Sequence, residues 1–241
     1  MTFFSILFAL IAEQYKPVEK DHWLRRFLEN WLDLAVKNVD TGSEGSGRLA
    51  CLLAFAPPVI VVILIHFVLL ATQPLLAFAW NVLIVYLFLG FRQFSHPFTA
   101  IHEALLERNL EEARRVLAEW QGPGVNTDTM TESEVIRLAL ERAIVGAHRH
   151  VFGVIFWFML PLGPAGVVLY RLAVIDWLPT RLTAIGFAIV GNFEDAVYGW
   201  RYHLSKWTNE LEAVILASGA GALGVRLGAP LPEPSSDEAL R

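Results

Sequence analysis

Between Arg48 and Arg92 the chain runs for forty-three residues, LACLLAFAPPVIVVILIHFVLLATQPLLAFAWNVLIVYLFLGF, without one Asp, Glu, Lys or Arg. As continuous helix at roughly 1.5 Å per residue this run would extend about 65 Å, twice the roughly 30 Å hydrocarbon core of a bilayer. It therefore predicts two crossings, with residues 49–91 forming a transmembrane helical hairpin. Thr72-Gln73-Pro74 is the turn, because Pro cannot continue a helical hydrogen-bond ladder and Gln tolerates the interface. A buried hairpin in a soluble core would need more surrounding protein than 241 residues supply.

The rest of the chain carries 19 Lys or Arg and 24 Asp or Glu, all outside that run. Segregation of charged from apolar stretches is the pattern of a multi-pass membrane protein with soluble loops. The net charge of −5, with every basic residue interleaved among acids, excludes a nucleic-acid footprint. Cys51 is the single cysteine, so neither a disulfide nor a thiolate metal site can be built.

Residues 1–12 are apolar but lack the basic region and small-residue cleavage site of a secretory signal, and are read as a retained membrane segment. In residues 21–37, Leu24, Phe27, Leu28, Trp31 and Ala35 form one stripe and the charges lie elsewhere. That is an amphipathic helix, and Trp23 and Trp31 suit the headgroup level. Packing against other loops explains the stripe equally well. A flexible linker, residues 41–47, completes the 1–48 region.

Residues 92–150 read as a cytoplasmic helical hairpin. A charged helix over 99–120 repeats Leu106, Leu110, Ala113, Leu117 and Trp120 at spacings of four and three, and Gln121-Gly-Pro-Gly124 ends it. Thr131-x-x-Glu134 is a capping box for the next helix, which runs to about His148.

Residues 151–228 read as C-terminal membrane-associated helices. Residues 151–172 form an apolar segment broken at Pro161-Leu-Gly-Pro164, which should face the bundle interior or make a re-entrant turn. Residues 182–191 are apolar but too short to span. Residues 213–227 are rich in Gly and Ala, which permits close helix approach. Residues 229–241 read as a disordered tail. Residues 13–48 hold six Lys or Arg and residues 92–149 hold seven, against none in the turn at 72–74, so both charged regions are expected on the cytoplasmic face.

His148-Arg149-His150 stands at the mouth of the 151–172 segment. Two His residues two apart on a helix point in different directions and no acid or Cys has suitable spacing, so headgroup or partner binding is the expectation and a metal site is not. Asn192, Glu194 and Asp195 are candidate buried polar residues, functional by default near a membrane, with an exposed helix end as the alternative. His66 and Asn81 lie inside the two long spans, where inter-helix hydrogen bonding is expected.

LFALIAEQYKP, GFRQFSHPFTAI, AHRHVFGVIFWF, GPAGVVLYR, DWLPTRLTAIGFAIVGNFEDA and GALGVRLG resemble the CobD/CbiB cobalamin-biosynthesis family and its relative AmpE, a membrane protein linked to β-lactamase induction. The resemblance implies a multi-pass, all-α protein of the bacterial inner membrane. It also implies an ATP- and magnesium-dependent amide ligase, adenosylcobinamide-phosphate synthase, joining adenosylcobyric acid to aminopropanol phosphate. The family's stretch IESVAENxxDxxxxPLFW lies without gaps on Leu140–Trp157, so Glu141, Phe156 and Trp157 agree, while Val145, Gly146 and Arg149 replace a Glu, an Asn and an Asp. The NTxDSMxG segment after Tyr170-Arg171 is absent, and Asp176 stands where the family has Asn.

Magnesium held against ATP needs oxygen ligands, so these losses predict a degenerate set whose remaining members are Glu141, Asp176, Arg181 and Arg226. The residues by themselves require no cofactor. The expected partners are the lipid bilayer and a membrane protein or a second copy of the chain. An AmpE-like regulator or scaffold, without enzymatic activity, is the alternative.

Overall fold

The computed structural model describes residues 2–16, 27, 30, 31, 34, 44–122, 126–173, 177–202, 210–225 and 227. All regular structure among them is helical. Trp23, Asp176, Arg226 and the 229–241 tail lie outside the described residues, as does most of the 21–37 stripe, of which Phe27, Asn30, Trp31 and Leu34 are helical.

The helices are α1 (Thr2–Tyr15), α2 (Glu44–Thr72), α3 (Pro74–Phe88), α4 (Phe91–Leu106), α5 (Leu110–Gln121), α6 (Glu132–Ala147), a π-helical turn (His148–Phe152), α7 (Gly153–Met159), α8 (Pro164–Ala173), α9 (Trp177–Val190), α10 (Phe193–Tyr202) and α11 (Glu210–Leu223). They divide into two units that interleave in sequence: residues 1–96 with 146–179, and residues 97–145 with 180–241.

In the first unit α3 packs against α1, α2 and α8, and α7 packs against α8. Their shared core contains Ala9, Ile84, Val85, Leu89, Val154, Phe158, Val167 and Tyr170. The uncharged run reverses where its sequence said. Gln73 is extended (φ −148°, ψ 105°), its carbonyl accepts the Leu76 and Ala77 N–H groups, and Pro74 opens α3 at a position whose N–H would have no helical partner. Helix formation starts earlier than expected, at Glu44, so the second half of the 41–47 linker is the first turn of α2.

The His66 Nδ1 and Asn81 Oδ1 atoms are buried without a hydrogen-bond partner among the described residues, so the bonds expected between the spans are not made at these atoms. The Pro161–Pro164 break is a turn, exposed at Pro161 and Leu162 and buried at Pro164, across which α7 and α8 pack on each other. Gly163 and Ala165 donate to the carbonyls of Leu160 and Leu162 there.

Among the described residues one helix, Ala54–Thr72, is long and apolar enough to cross a membrane. A second qualifies if α3 and α4, bent by 41° at Leu89-Gly90, count as one span.

In the second unit Ile101, Ala104, Ala113, Leu117, Met130, Val135 and Ala139 form the core. The helix expected over 99–120 is two helices. Arg108 adopts φ 57°, and the Asn109 side chain accepts the Glu112 N–H, because Asn competes with helical backbone bonds and serves better as a cap. Gly122, at φ 82°, ends α5. The Thr131–Glu134 capping box forms: Thr131 N–H donates to Glu134 Oε2 at 2.7 Å and Glu134 N–H to Thr131 Oγ1 at 3.4 Å. Arg114 and Arg142 tie the two helices together by donating to the carbonyls of Met130 and Trp120. α10 and α11 meet through glycines: a Cβ on Gly199 or Gly221 would fall within 3.0 Å of the facing backbone.

Candidate functional site

In the first unit four segments bring together the buried Glu13, the half-buried His150 and Arg171, and the exposed Arg92. The inward face of α1 carries Ser5, Ala9 and Glu13 at a spacing of four, so Glu13 is delivered to the interior and is only 2% exposed. Its Oε1 accepts the Arg92 N–H at 3.3 Å, at the first turn of α4. A carboxylate at a helix N-terminus meets unsatisfied N–H groups and the positive end of the helix dipole. The cationic side chains of Arg92 and Arg171 also act on it. Its second oxygen is buried and has no hydrogen-bond partner among the described residues.

The π-helical turn closes a second side. Gly90 N–H donates to the His150 carbonyl at 3.2 Å, and a Cβ on Gly90 would press on His150 Nδ1 at 3.0 Å, so this approach needs glycine. From α8, the Arg171 guanidinium donates to the Phe88 carbonyl at the C-terminal end of α3, and it lies 3.3 Å from His150 Nδ1. Arg has no acceptor, so Nδ1 accepts and the neutral imidazole carries its proton on Nε2. Tyr170 donates its hydroxyl proton to the Arg149 carbonyl at 3.3 Å. Backbone groups thereby hold one carboxylate and one guanidinium, the guanidinium meets one imidazole, and the exposed Arg92 contributes its backbone N–H. Such a set can hold an anion or pass a proton; it lacks the cluster of oxygen ligands that magnesium takes.

The residues singled out in the sequence distribute differently. His148, expected at an interface, is 1% exposed: the turn rotates it inward, leaving Arg149 and His150 half-buried. Trp31 is half-buried, and its indole N–H donates to the Ala54 carbonyl at 3.0 Å, so that proton is used within the chain. Asn192, Glu194 and Asp195 are exposed, not buried. They open α10, where Asn192 Oδ1 accepts the Asp195 N–H and Asn192 Nδ2 donates to Asp195 Oδ2 at 2.8 Å, the geometry of an N-cap in contact with water or headgroups.

Glu141, on α6, and Arg181, on α9, are both half-buried and belong to the second unit. No group of three or more His, Cys, Asp or Glu side chains able to hold a metal ion occurs among the described residues. Val145, Gly146 and Arg149 supply no carboxylate where the resemblance expects polar ligands.

Glu13, Arg92 and Arg171 are not evident as a set in the sequence. The available signal was the Ser5–Ala9–Glu13 spacing, small and polar residues on one face of an otherwise bulky helix.

Comparison with known proteins gives the context. The family model described as CobD/Cbib protein matches residues 3–174, which include Glu13, Arg92, His150 and Arg171. The cobalamin biosynthesis protein CobD of Chromobacterium violaceum is 32% identical, covering 66% of this chain and 58% of its own length. The protein of the same name from Stutzerimonas stutzeri is 30% identical, covering 66% of this chain and 64% of its own. The chain thus spans about three-fifths of the length of the curated relatives it matches. No solved structure matches. Neither the family model nor these relatives supports the AmpE-like alternative.

Proposed function

This chain belongs to the CobD/CbiB family, and on that premise we propose that it is a multi-pass, inner-membrane component of cobalamin biosynthesis whose ligase acid set is depleted. The observation that carries the family assignment is the match over residues 3–174, a range that includes Glu13, Arg92, His150 and Arg171.

Membrane residence is supported by the way α2 is packed. The core helix of a soluble protein is mostly buried, whereas only 17% of the apolar window in Ala54–Thr72 is. Ile60, Val61, Leu64, Phe67 and Val68 are all more than half exposed on this helix. Water penalises such a surface at about 25 cal/mol per Å², and a bilayer does not.

Loss of ligase chemistry is supported by Val145 and Arg149 at the positions where the family resemblance expects carboxylates. An acyl-phosphate route to an amide needs charge neutralisation on ATP, and ATP with magnesium would be the cofactors if the activity survived. The purified protein in detergent or nanodiscs, given adenosylcobyric acid, aminopropanol phosphate, ATP and magnesium, is expected to form no coupled product. ATP-dependent amide formation that disappears in a Glu141→Gln variant would overturn the depleted-set reading.

A further inference from the structure

Helix α9 is sorted inside out. Its inward positions, Thr180, Ala184 and Ala188, are small and spaced by four. Its outward positions, Leu182, Ile185 and Ile189, are large and apolar, with exposures of 45%, 44% and 73%, and Val190 continues the ridge at 89%. A helix facing water shows the reverse, polar residues outward and apolar residues inward. Residues 182–190, LTAIGFAIV, contain no charge, whereas Arg181 precedes them and Asn192, Glu194 and Asp195 follow.

We propose that α9 lies in the plane of a lipid bilayer with its Leu182–Ile185–Ile189 ridge among the acyl chains, a non-spanning membrane contact of the second unit. This rests on the membrane reading above. The polar ends set the orientation: ten residues lie between Arg181 and Asn192, and the helix from Arg181 to its end at Val190 rises about 14 Å, roughly half the hydrocarbon core. An upright helix of that length would leave one polar end inside the core. Lying flat keeps both ends among headgroups and sinks the ridge by about 5–10 Å, as interfacial helices do.

Lipid accounts for the ridge better than a second copy of the chain. In the other unit α1 is sorted the same way, with Ser5, Ala9 and Glu13 inward and Phe3, Phe4, Leu7, Phe8 and Ile11 outward. α2 likewise exposes its large apolar residues. One apolar solvent explains all three surfaces, whereas protein contacts would require a matched partner for each. The nearest exposed charges include the acids Glu194 and Asp195, so insertion follows apolar burial and not attraction to anionic headgroups.

The test uses the full chain with Cys51→Ser and one environment-sensitive fluorophore on a cysteine placed at Leu182, Ile185, Ile189 or, as the spanning reference, Leu64. The chain is reconstituted in phosphatidylcholine vesicles carrying quenchers at shallow or deep acyl positions. The Ile185 and Ile189 labels should be quenched several-fold more by the shallow lipid quencher than by aqueous iodide, and the Leu64 label by the deep one. Adding anionic lipid should leave this unchanged. Iodide quenching at Ile185 and Ile189 with lipid quenching at Leu64 would overturn the α9 proposal and leave the membrane reading standing. Protection of both labels from both quenchers would identify a copy-to-copy contact and also overturn it. Iodide quenching at Leu64 as well would remove the membrane reading itself.

Discussion

Gly153 begins α7 directly beneath Tyr170, and Gly153→Ala should destabilise the first unit even though alanine is the better helix former. A Cβ at this position would fall within 3.0 Å of the Tyr170 hydroxyl oxygen and two of its ring carbons. Tyr170 is 2% exposed, so its ring has nowhere to go without disturbing its neighbours, and its hydroxyl would leave the Arg149 carbonyl. Overpacking costs about 1–3 kcal/mol, and the lost hydrogen bond adds about 0.5–1.5 kcal/mol. The helix-propensity gain returns about 1 kcal/mol. The net is a loss of about 2 kcal/mol, or about 4–8 °C in Tm at roughly 2–4 °C per kcal/mol for a chain of this size.

Circular dichroism melts of both proteins in the same detergent read the shift. In a double-mutant cycle, the alanine penalty should vanish or become a gain on a Tyr170→Ala background, because the clash partner is gone. An unchanged or raised Tm for Gly153→Ala, or an equal penalty with and without the tyrosine ring, would refute the packing argument.

Gly186→Ala makes the opposite prediction: nothing lies within 4 Å of its Cβ position, so the same substitution should raise Tm by about 2–4 °C, following the roughly 1 kcal/mol propensity term. Glu13→Ala leaves the Arg92 N–H without its acceptor and should cost about 1–3 kcal/mol; Glu13→Gln keeps an acceptor and should cost visibly less in the same melts. Thr131→Ala removes the cap of α6 and should cost about 1 kcal/mol, read as a fall in Tm. The Thr131 N–H and hydroxyl hold the Glu134 carboxyl below the usual carboxylate range. Its contribution is thus present above about pH 4.3 and is lost as pH falls through that lowered value, and a pH series of melts should show this acid-side loss in the wild type and not in Glu134→Gln.

The reversal at Gln73, the break at Pro161–Pro164 and the Thr131–Glu134 box were legible in the sequence because each depends on residues within a few positions of one another. Proline lacks a donor, and a hydroxyl and a carboxylate three apart reach each other's backbone without help from the fold. The break at Glu107–Asn109 was also local, but the apolar spacing continued smoothly across it and hid the cap that Asn109 supplies. For Asn192, Glu194 and Asp195 the chain takes the exposed helix end and not the buried site: the same three residues suit either, and only packing decides which.

By itself, then, the sequence determined a helical chain with an uncharged hairpin, its punctuation and its family. Periodicity, caps and prolines are short-range, and a run of forty-three uncharged residues leaves few environments open. Only the tertiary structure decided that Glu13, Arg92, His150 and Arg171 meet around one buried carboxylate, because these residues lie as much as 158 positions apart and are joined largely through backbone carbonyls and N–H groups that carry no side-chain signature. It also decided which face of each apolar helix looks outward. Composition counts alanines and isoleucines alike as apolar, whereas packing in α1 and α9 places the small ones inside and leaves the large ones exposed.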